Sequence, residues 1–489
     1  MTVARRRRTL GWIFGVVAVV PLTTHGCGDD GIVRDTMGGG ELGVCGDGVL
    51  QQDEACDDDN DDPRDDCTNE CQLPTCGDAV ANNGELCDDG DDDETDSCTA
   101  ACMPGPAAVV SVAAGEAHTC AVSASSVVRC WGAPGEGRLG QPGYDEHIGD
   151  NEPPSDWDPV EVAPDVVALV AGYDHTCALR AGGEVRCWGD NSAGQLGYGH
   201  NDSIGDDETP ASAGDVPLPG PVQSLAASSA HTCALFEDGT IACWGNNSSG
   251  QLGLGNTDRI GDDDMDVITT VPLPEAAVQV VAGESHTCAR LASGAVKCWG
   301  RQEEGQLGTG EPDDIGDDEP IDSIGNIALG GTAIDIDAYG NFTCAALEGG
   351  TVRCWGHNTS GQLGYGDTES RGDRKTPEEI GDVDLIGVAI GVETGRTHTC
   401  ALLDSGSVRC WGAGVALGLE DDLRAEEPGA VARVGAPVRT LVAGHGHNCA
   451  ILDSSAVRCW GNNSGSMTGY PEATSRVWRL SDFGDVDVF

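Results

Sequence analysis

The sequence predicts an all-β chain, a seven-bladed β-propeller preceded by two small disulfide-rich modules. One unit is written seven times over residues 106–489, its leading cysteines stepping by 57, 56, 55, 56, 56 and 49 residues. A period near fifty, built of short strands that end in Trp-Gly, indicates blades in a ring and not a solenoid. The composition agrees: 72 glycines, 23 cysteines and more tryptophans (10) than phenylalanines (5) suit short strands, many turns and covalent staples. At roughly 100 to 200 residues per domain, a single core does not serve a chain of 489 residues.

Charge sets the class of partner. Asp and Glu number 82 against 26 Lys and Arg, a net −56, and Lys297 and Lys375 are the only lysines. Such a surface repels DNA, RNA and anionic lipid, because phosphate binding needs cations that release counterions. Metal cations and basic proteins remain.

Residues 1–26 carry Arg5 to Arg8, no acid, and an apolar run from Leu10 to Leu22, the layout of an export signal peptide. That run is too short to span a bilayer comfortably. It ends in Leu22-Thr-Thr-His-Gly-Cys27, which resembles a bacterial lipobox, with Thr24 where that family carries an aliphatic residue. The resemblance implies lipidation of Cys27, and a plain secretory signal is the alternative. Either way the mature chain is expected to be extracytoplasmic, in the cell envelope or secreted. Loss of the signal removes four of the 26 basic residues and leaves 22 against 82, or −60.

A tether, 27–44, leads to two copies of one module, 45–75 and 76–105. Cys45, Cys56, Cys67 and Cys71 are spaced 11, 11 and 4, and Cys76, Cys87, Cys98 and Cys102 repeat the spacing. Both copies share C-G-D-x-V, E-x-C-D-D and D-x-C-T-x-x-C, and resemble the myxobacterial cysteine-rich repeat of surface lipoproteins. Disulfides must stand in for a core here, with three pairings open per module. A zinc site of four thiolates is the rival, opposed by the export signal. Asp57, Asp58, Asp59, Asp88, Asp89 and Asp91 are either calcium ligands or solvated charge.

In the propeller, 106–489, the motif H-T-C-A-L, a turn, then V-x-C-W-G recurs at Cys120/Cys130, Cys177/Cys187, Cys233/Cys243, Cys288/Cys298, Cys344/Cys354, Cys400/Cys410 and Cys449/Cys459. Pairing Cys400 with Cys410 leaves a three-residue hairpin loop ending in Gly406, where a left-handed residue is wanted. Facing cysteines on such a ribbon lie about 4.5 to 5.5 Å apart at Cα, within disulfide range, so seven blade-internal disulfides follow. These 14 cysteines and the eight of the modules leave Cys27 over, a second pointer to its lipidation.

The blades resemble the regulator-of-chromosome-condensation repeat family in A-G-x-x-H-T-C-A-L, in C-W-G-x-N and in G-Q-L-G at Gly194 to Gly197, Gly250 to Gly253, Gly305 to Gly308 and Gly361 to Gly364. The resemblance covers all 384 residues of 106–489. It implies seven blades and, through the family's eukaryotic namesake, guanine-nucleotide exchange on a nuclear GTPase. Export, disulfides and acidity oppose that activity here.

Repetition also bears on single residues. His118, His175, His231, His286, His398 and His447 are either a metal ring or side chains bonded to local backbone, and blade five carries Phe342 instead. Trp131, Trp188, Trp244, Trp299, Trp355, Trp411 and Trp460 are spread evenly over seven copies, as packing between blades requires and a ligand cage does not. The chain has no G-x-S-x-G, P-loop or H-E-x-x-H, so no enzyme is expected. The terminal Gly484 to Phe489 repeats the Gly214-Asp-Val and Gly381-Asp-Val-Asp segments and is expected to pair near Val109 to Ala113, closing the ring.

The loops after G-Q-L-G carry Ile-Gly-Asp-(Asp/Asn)-(Glu/Asp) at Ile148, Ile204, Ile260 and Ile315. Blade symmetry puts them on one face as a ring of carboxylate, and loops on rigid scaffolds are where binding residues sit. Asp150, Glu152, Asp206, Asp207, Glu208, Asp262, Asp263, Asp264, Asp317, Asp318 and Glu319 are candidate calcium ligands, with solubilising charge as the alternative. No other cofactor is expected. The function expected is non-catalytic binding or adhesion, by a monomer whose acidic loop face meets a protein or polysaccharide at the cell surface. Membrane contact comes through the lipid anchor alone. Inhibition of a secreted enzyme is the further alternative, since propellers of this repeat type can cap an active site.

Overall fold

The computed structural model describes Cys98 and residues 105–489 apart from 264, 420–423, 430, 472, 474–475 and 478–482. The predicted signal, the tether with Cys27, and the two modules save Cys98 and Gly105 lie outside the described residues, as does Asp264. Seven antiparallel sheets follow one another along the chain. Each has three strands in sequence order, as in Val166–Ala171, His175–Arg180 and Val185–Gly189. A fourth segment bridges to the last glycine of every third strand: Ile204 to Gly189, Arg371 to Gly356, Ala425 to Gly412, Val477 to Gly461 and so on. First strands of consecutive blades lie together, and Val438–Ala443 returns to Val109–Ala114, so they form the inner wall of a closed ring.

Each blade holds one disulfide, between the middle of its second strand and the middle of its third. The bonds are Cys120–Cys130, Cys177–Cys187, Cys233–Cys243 and Cys288–Cys298 in blades one to four. Cys344–Cys354, Cys400–Cys410 and Cys449–Cys459 follow in blades five to seven. The partners agree with the spacing, but the separation does not. Cα atoms stand 4.0–4.1 Å apart at all seven, nearer than the sequence-based range for Cys130, Cys187, Cys243, Cys298, Cys354, Cys410 and Cys459 opposite their partners. Ladder parity explains the correction. Leu403 N–H donates to Ser407 O, which makes 403 and 407 a hydrogen-bonded pair. Counting back, Cys400 and Cys410 fall at a non-hydrogen-bonded pair, where strands approach most closely. The loop ends at Gly406 with φ 72°, and Ser126 and Ser455 take φ 63° and 66° at the same place.

The inner strands have no ladder partner on the axial side, an edge that would otherwise be open. Side chains of the preceding blade fill it. Ser111 Oγ accepts from Leu169 N, Asp335 from Val392 N, and Asp337 from both Thr394 N and Thr394 Oγ1. Gln279 bonds both the N–H and the C=O of Ile336. These carboxylates are half-buried between blades, and burial is the main cause that pushes Asp337 up to about 6 and raises Asp335 and Glu393.

An acid whose pKa is raised by folding stabilises the fold below its unfolded value, near 4, and that contribution is lost as pH rises through the folded value. The trio therefore favours the fold at about pH 5 over about pH 7.5 by on the order of 1–2 kcal/mol. The buried histidines act the other way and together outweigh it. His175, His231, His286, His398 and His447, lowered to about 3 or 4, each lose stability as pH falls below the free imidazole value, so the propeller as a whole is expected to melt lower at about pH 5. Thermal melts of Asp337→Asn/Glu393→Gln, which keeps an acceptor oxygen at each place, should show a larger drop from about pH 7.5 to about pH 5 than the wild type does. An equal drop would mean that these carboxylates contribute nothing to the pH dependence.

The C-terminal segment does not pair with Val109 to Ala113. Val486 N–H donates to Val457 O of its own blade, as Val216 does to Val185 and Val383 to Val352. The repeat of Gly-Asp-Val does mark one kind of segment, but that segment lines the outer edge of the blade it follows. Blades seven and one are joined instead by the contacts that join every neighbouring pair. His445 N donates to Gly115 O, Val109 N to Ser455 O, and Trp131 Nε1 to Met467 O.

Candidate functional site

Strand direction fixes what each face carries. His175 at the start of a second strand opposes Gly189 at the end of the third, so the turns before His and the loops after Trp-Gly share one face. The opposite face carries the tight hairpins and the entering chain, where Ala124 N donates to Ala108 O. Residues 105–108 thus meet the propeller on the face away from the acidic loops.

Half of the Ile-Gly-Asp motif proves to be a joint between blades. Ile204 bridges to Gly189 of its own blade, while Gly205 lies against Gly137 and Gly140 of the blade before, and Gly143 N donates to Asp206 O. A Cβ at Gly205 would sit 2.6 Å from the Gly137 carbonyl oxygen. The carboxylates that follow face outward. Asp206, Asp207 and Glu208 offer oxygens within 4.8 Å of one another, as do Asp317, Asp318 and Glu319. Burial, then the hydrogen bond with Asp207, pushes Glu208 up to about 7, and Glu319 is raised by burial and Asp318.

The other two copies differ. Asp150 is exposed, and Glu152 Oε1 accepts from Trp157 Nε1 at 2.7 Å. Asp262 and Asp263 are joined by Asp266, whose carboxylate accepts from Gly261 N and Asp263 N. Asp266 is not among the residues the sequence singles out, because in this blade the returning acid stands two places later than Glu208 and Glu319 do.

The buried histidines bond the next blade and not local backbone. His175 Nε2 lies 2.9 Å from Thr232 Oγ1, and Thr232 Oγ1 donates to Gln195 O, so the imidazole must be the donor in the first bond. His118 meets Thr176, His231 meets Thr287, His286 meets Thr343, His398 meets Asn448, and His447 closes the circle on Thr119. Burial, the largest cause, lowers His175 and His398 to about 4 and His231, His286 and His447 to about 3, so they stay neutral. Set one apiece in six of the seven blades, each bonded to its neighbour, they do not converge on an ion. Each Gln O also takes the indole N–H of the next blade, as Trp244 Nε1 to Gln195 O at 2.9 Å.

The turns before these histidines meet at the axis. Glu116 N donates to Tyr173 O, Tyr173 N to Ser228 O, Glu284 N to Gly340 O and Arg396 N to His445 O, a girdle of backbone around the mouth. Sequence reasoning misses their side chains, although one signal narrows the search. In A-G-x-x-H both positions between glycine and histidine vary from copy to copy, and the first of them reads Glu116, Tyr173, Ser229, Glu284, Gly340, Arg396 and His445.

Comparison with known proteins places this architecture. The family model for the RCC1-like domain matches residues 67–393, and that for the regulator of chromosome condensation (RCC1) repeat matches 389–415. The chain is 28% identical to the ultraviolet-B receptor UVR8 of Arabidopsis thaliana over 316 residues, 63% of this chain and 66% of the receptor. It is 28% identical to the human E3 ubiquitin-protein ligase HERC2 over 282 residues, 57% of this chain and 6% of the ligase. It thus spans just under two thirds of the receptor and a small part of the ligase. Among solved structures, human WBSCR16 aligns with TM-score 0.61 at 19% identity, covering 73% of this chain and 92% of that one. Prp20p of Saccharomyces cerevisiae aligns with TM-score 0.57 at 22% identity, covering 69% and 81%.

Proposed function

The chain belongs to the RCC1-like domain family, whose propellers bind proteins, as Prp20p does Gsp1p and histones, and we propose on that premise that it is a non-catalytic binding propeller presenting its acidic face to a basic protein outside the cytoplasmic membrane. The observation that carries this is the separation of the two faces. Carboxylates of symmetry-related loops stand on one, and residues 105–108 enter on the other. A chain tethered through its N-terminal segment, by a lipid on Cys27 or by the modules alone, would hold the acidic loops outward. Charge complementarity then steers and selects a positive partner.

Calcium belongs to the same reading in a limited way. Each of the clusters 206–208 and 317–319 gives three carboxylates, against the roughly six to eight oxygens calcium takes, so any ion held there is weakly held and open to water.

The test is affinity capture with the immobilised full chain against envelope and secreted fractions in about 0.15 M NaCl, where diffuse attraction is largely screened. A basic protein should be retained, and the variant Asp206→Asn/Asp207→Asn/Glu208→Gln/Asp317→Asn/Asp318→Asn/Glu319→Gln should retain it roughly tenfold less well, a loss of about 1.4 kcal/mol. A partner held equally by that variant would sink the reading. Running both arms with added calcium chloride asks whether the clusters bind it: a change in the wild type that the variant lacks is the expected mark.

A further inference from the structure

We propose that the axial mouth of the acidic face is a subsite for one arginine side chain of a basic protein partner, which the carboxylates of Glu116 and Glu284 hold beside the ring of Tyr173. The inference rests on the reading of that face as a protein-binding surface and names where its specificity lies. Tyr173 of blade two stacks on Tyr339 of blade five at 5.4 Å, and His445 of blade seven stands edge-on to both at 5.8 and 6.4 Å. Blades two, five and seven are not neighbours in this order, so the three rings meet across the axis.

Several observations there point to a ligand. The hydroxyls of Tyr173 and Tyr339 make no hydrogen bond within the protein, although Tyr339 is only 8% exposed. Burial, with Glu284 and Glu116 close by, raises the Tyr173 phenol, and burial does the same for Tyr339, so both stay protonated. His445 Nδ1 lies 3.5 Å from Glu116 Oε1, but burial and then Arg396 lower it to about 4, so this is not an ion pair at neutral pH. Arg396 Nη1 is turned to His445 Nε2 at 3.3 Å. Arg138 is spent on Asp174, Nη1 to Oδ1 at 2.6 Å. Among the described residues, Glu116 and Glu284 therefore have no arginine or lysine partner.

The mouth keeps four free acceptor groups, two carboxylates and two phenol oxygens, while the one acceptor nitrogen of neutral His445 is taken by Arg396. Guanidinium carries five donors and no acceptor, and its flat face stacks on an aromatic ring, which a lysine ammonium cannot match. The sequence supports the same place independently. Tyr339 stands in blade five where the other six copies carry glycine or serine, so the second ring at the axis is a departure from the repeat.

Calorimetric titration of an octa-arginine peptide into the full chain in about 0.15 M NaCl tests it. Glu116→Gln/Glu284→Gln and, separately, Tyr173→Leu should each weaken binding roughly tenfold or more, while Asp206→Asn/Asp207→Asn/Glu208→Gln should weaken it by less than about threefold. The glutamine pair keeps the shape of the mouth, so its melting temperature should match the wild type and guards against a folding defect in Tyr173→Leu. Equal losses in axial and loop variants would overturn the subsite and leave the acidic face as a diffuse binding surface. Absence of saturable binding to the wild type would also overturn it, and the capture experiment with the loop variant would still decide the wider reading.

Discussion

Replacing Trp131 by alanine is expected to lower the unfolding free energy by about 3–5 kcal/mol, the range for emptying a large aromatic site in a close-packed core. Trp131 is fully buried, and its Nε1 donates to Met467 O at 3.0 Å while Thr119 Oγ1 donates to the same oxygen at 2.7 Å. The change leaves a cavity and takes one of two donors from a buried carbonyl. Its place matters as much as its size, because Met467 and Trp131 belong to the last and first blades. The other blade junctions are also held by the continuous chain, whereas this one depends on contacts alone. Denaturant titration gives the magnitude, with Trp244→Ala as the reference for an interior junction. Hydrogen exchange should show amides of blades one and seven opening ahead of the rest in Trp131→Ala. Uniform exchange around the ring would mean that the seam is no weaker than its neighbours.

Full reduction of the disulfides is expected to unfold the propeller. Closing a loop of about ten residues contributes roughly 2.7 kcal/mol in the chain-entropy model. Seven such closures would total about 19 kcal/mol if additive, and even half of that is comparable with the roughly 5–15 kcal/mol net stability of ordinary domains. Each pair is completely buried or nearly so, Cys233 and Cys243 being fully covered, so a reductant reaches them through opening of a blade. Circular dichroism after reduction in mild denaturant should show loss of the β signal, where the oxidised protein keeps it. Replacing one pair, Cys233→Ala/Cys243→Ala, should cost only about 2–3 kcal/mol and leave a folded ring. Retention of the full β signal after complete reduction would shift the main stabilisation to the tryptophans and the lateral hydrogen bonds.

What can be read from the sequence follows a physical division. Contacts within a blade are encoded by spacing, so Cys187 with Cys177, Cys354 with Cys344, the hairpin at Gly406 and the place of each tryptophan are all accessible. Contacts between blades depend on how far each sheet leans on the next, and spacing does not report that. The histidines are the clearest case: their partner sits on the next blade around the ring, a threonine for all but His398, so spacing suggests nearby backbone for His175 when it bonds Thr232. Gly484 to Phe489 is recognisable by its repeat, but its partner Val457 could not be chosen over Val109 without the ring. The Ile-Gly-Asp loops announce their charge, while their glycine has a different task, letting two backbones touch. At the axis the residues occupy matching places in different copies, but the position beside them varies as much, so variation alone does not show which one faces the axis.

Each blade takes its three main strands from one contiguous stretch, and Val486 pairs with its own blade while Asp487 O accepts from Ser155 N of blade one. That arrangement suits a chain that emerges from a narrow exit N-terminus first. On the proposed export route a blade could oxidise as soon as it clears the membrane, because its two cysteines are ten residues apart and the next lies far behind them in the chain. Correct partners would then be available before wrong ones, and vectorial delivery would itself limit scrambling. Only the final joint, last blade against first, must wait for release of the whole chain, so assembly has a single long-range step, and it comes last.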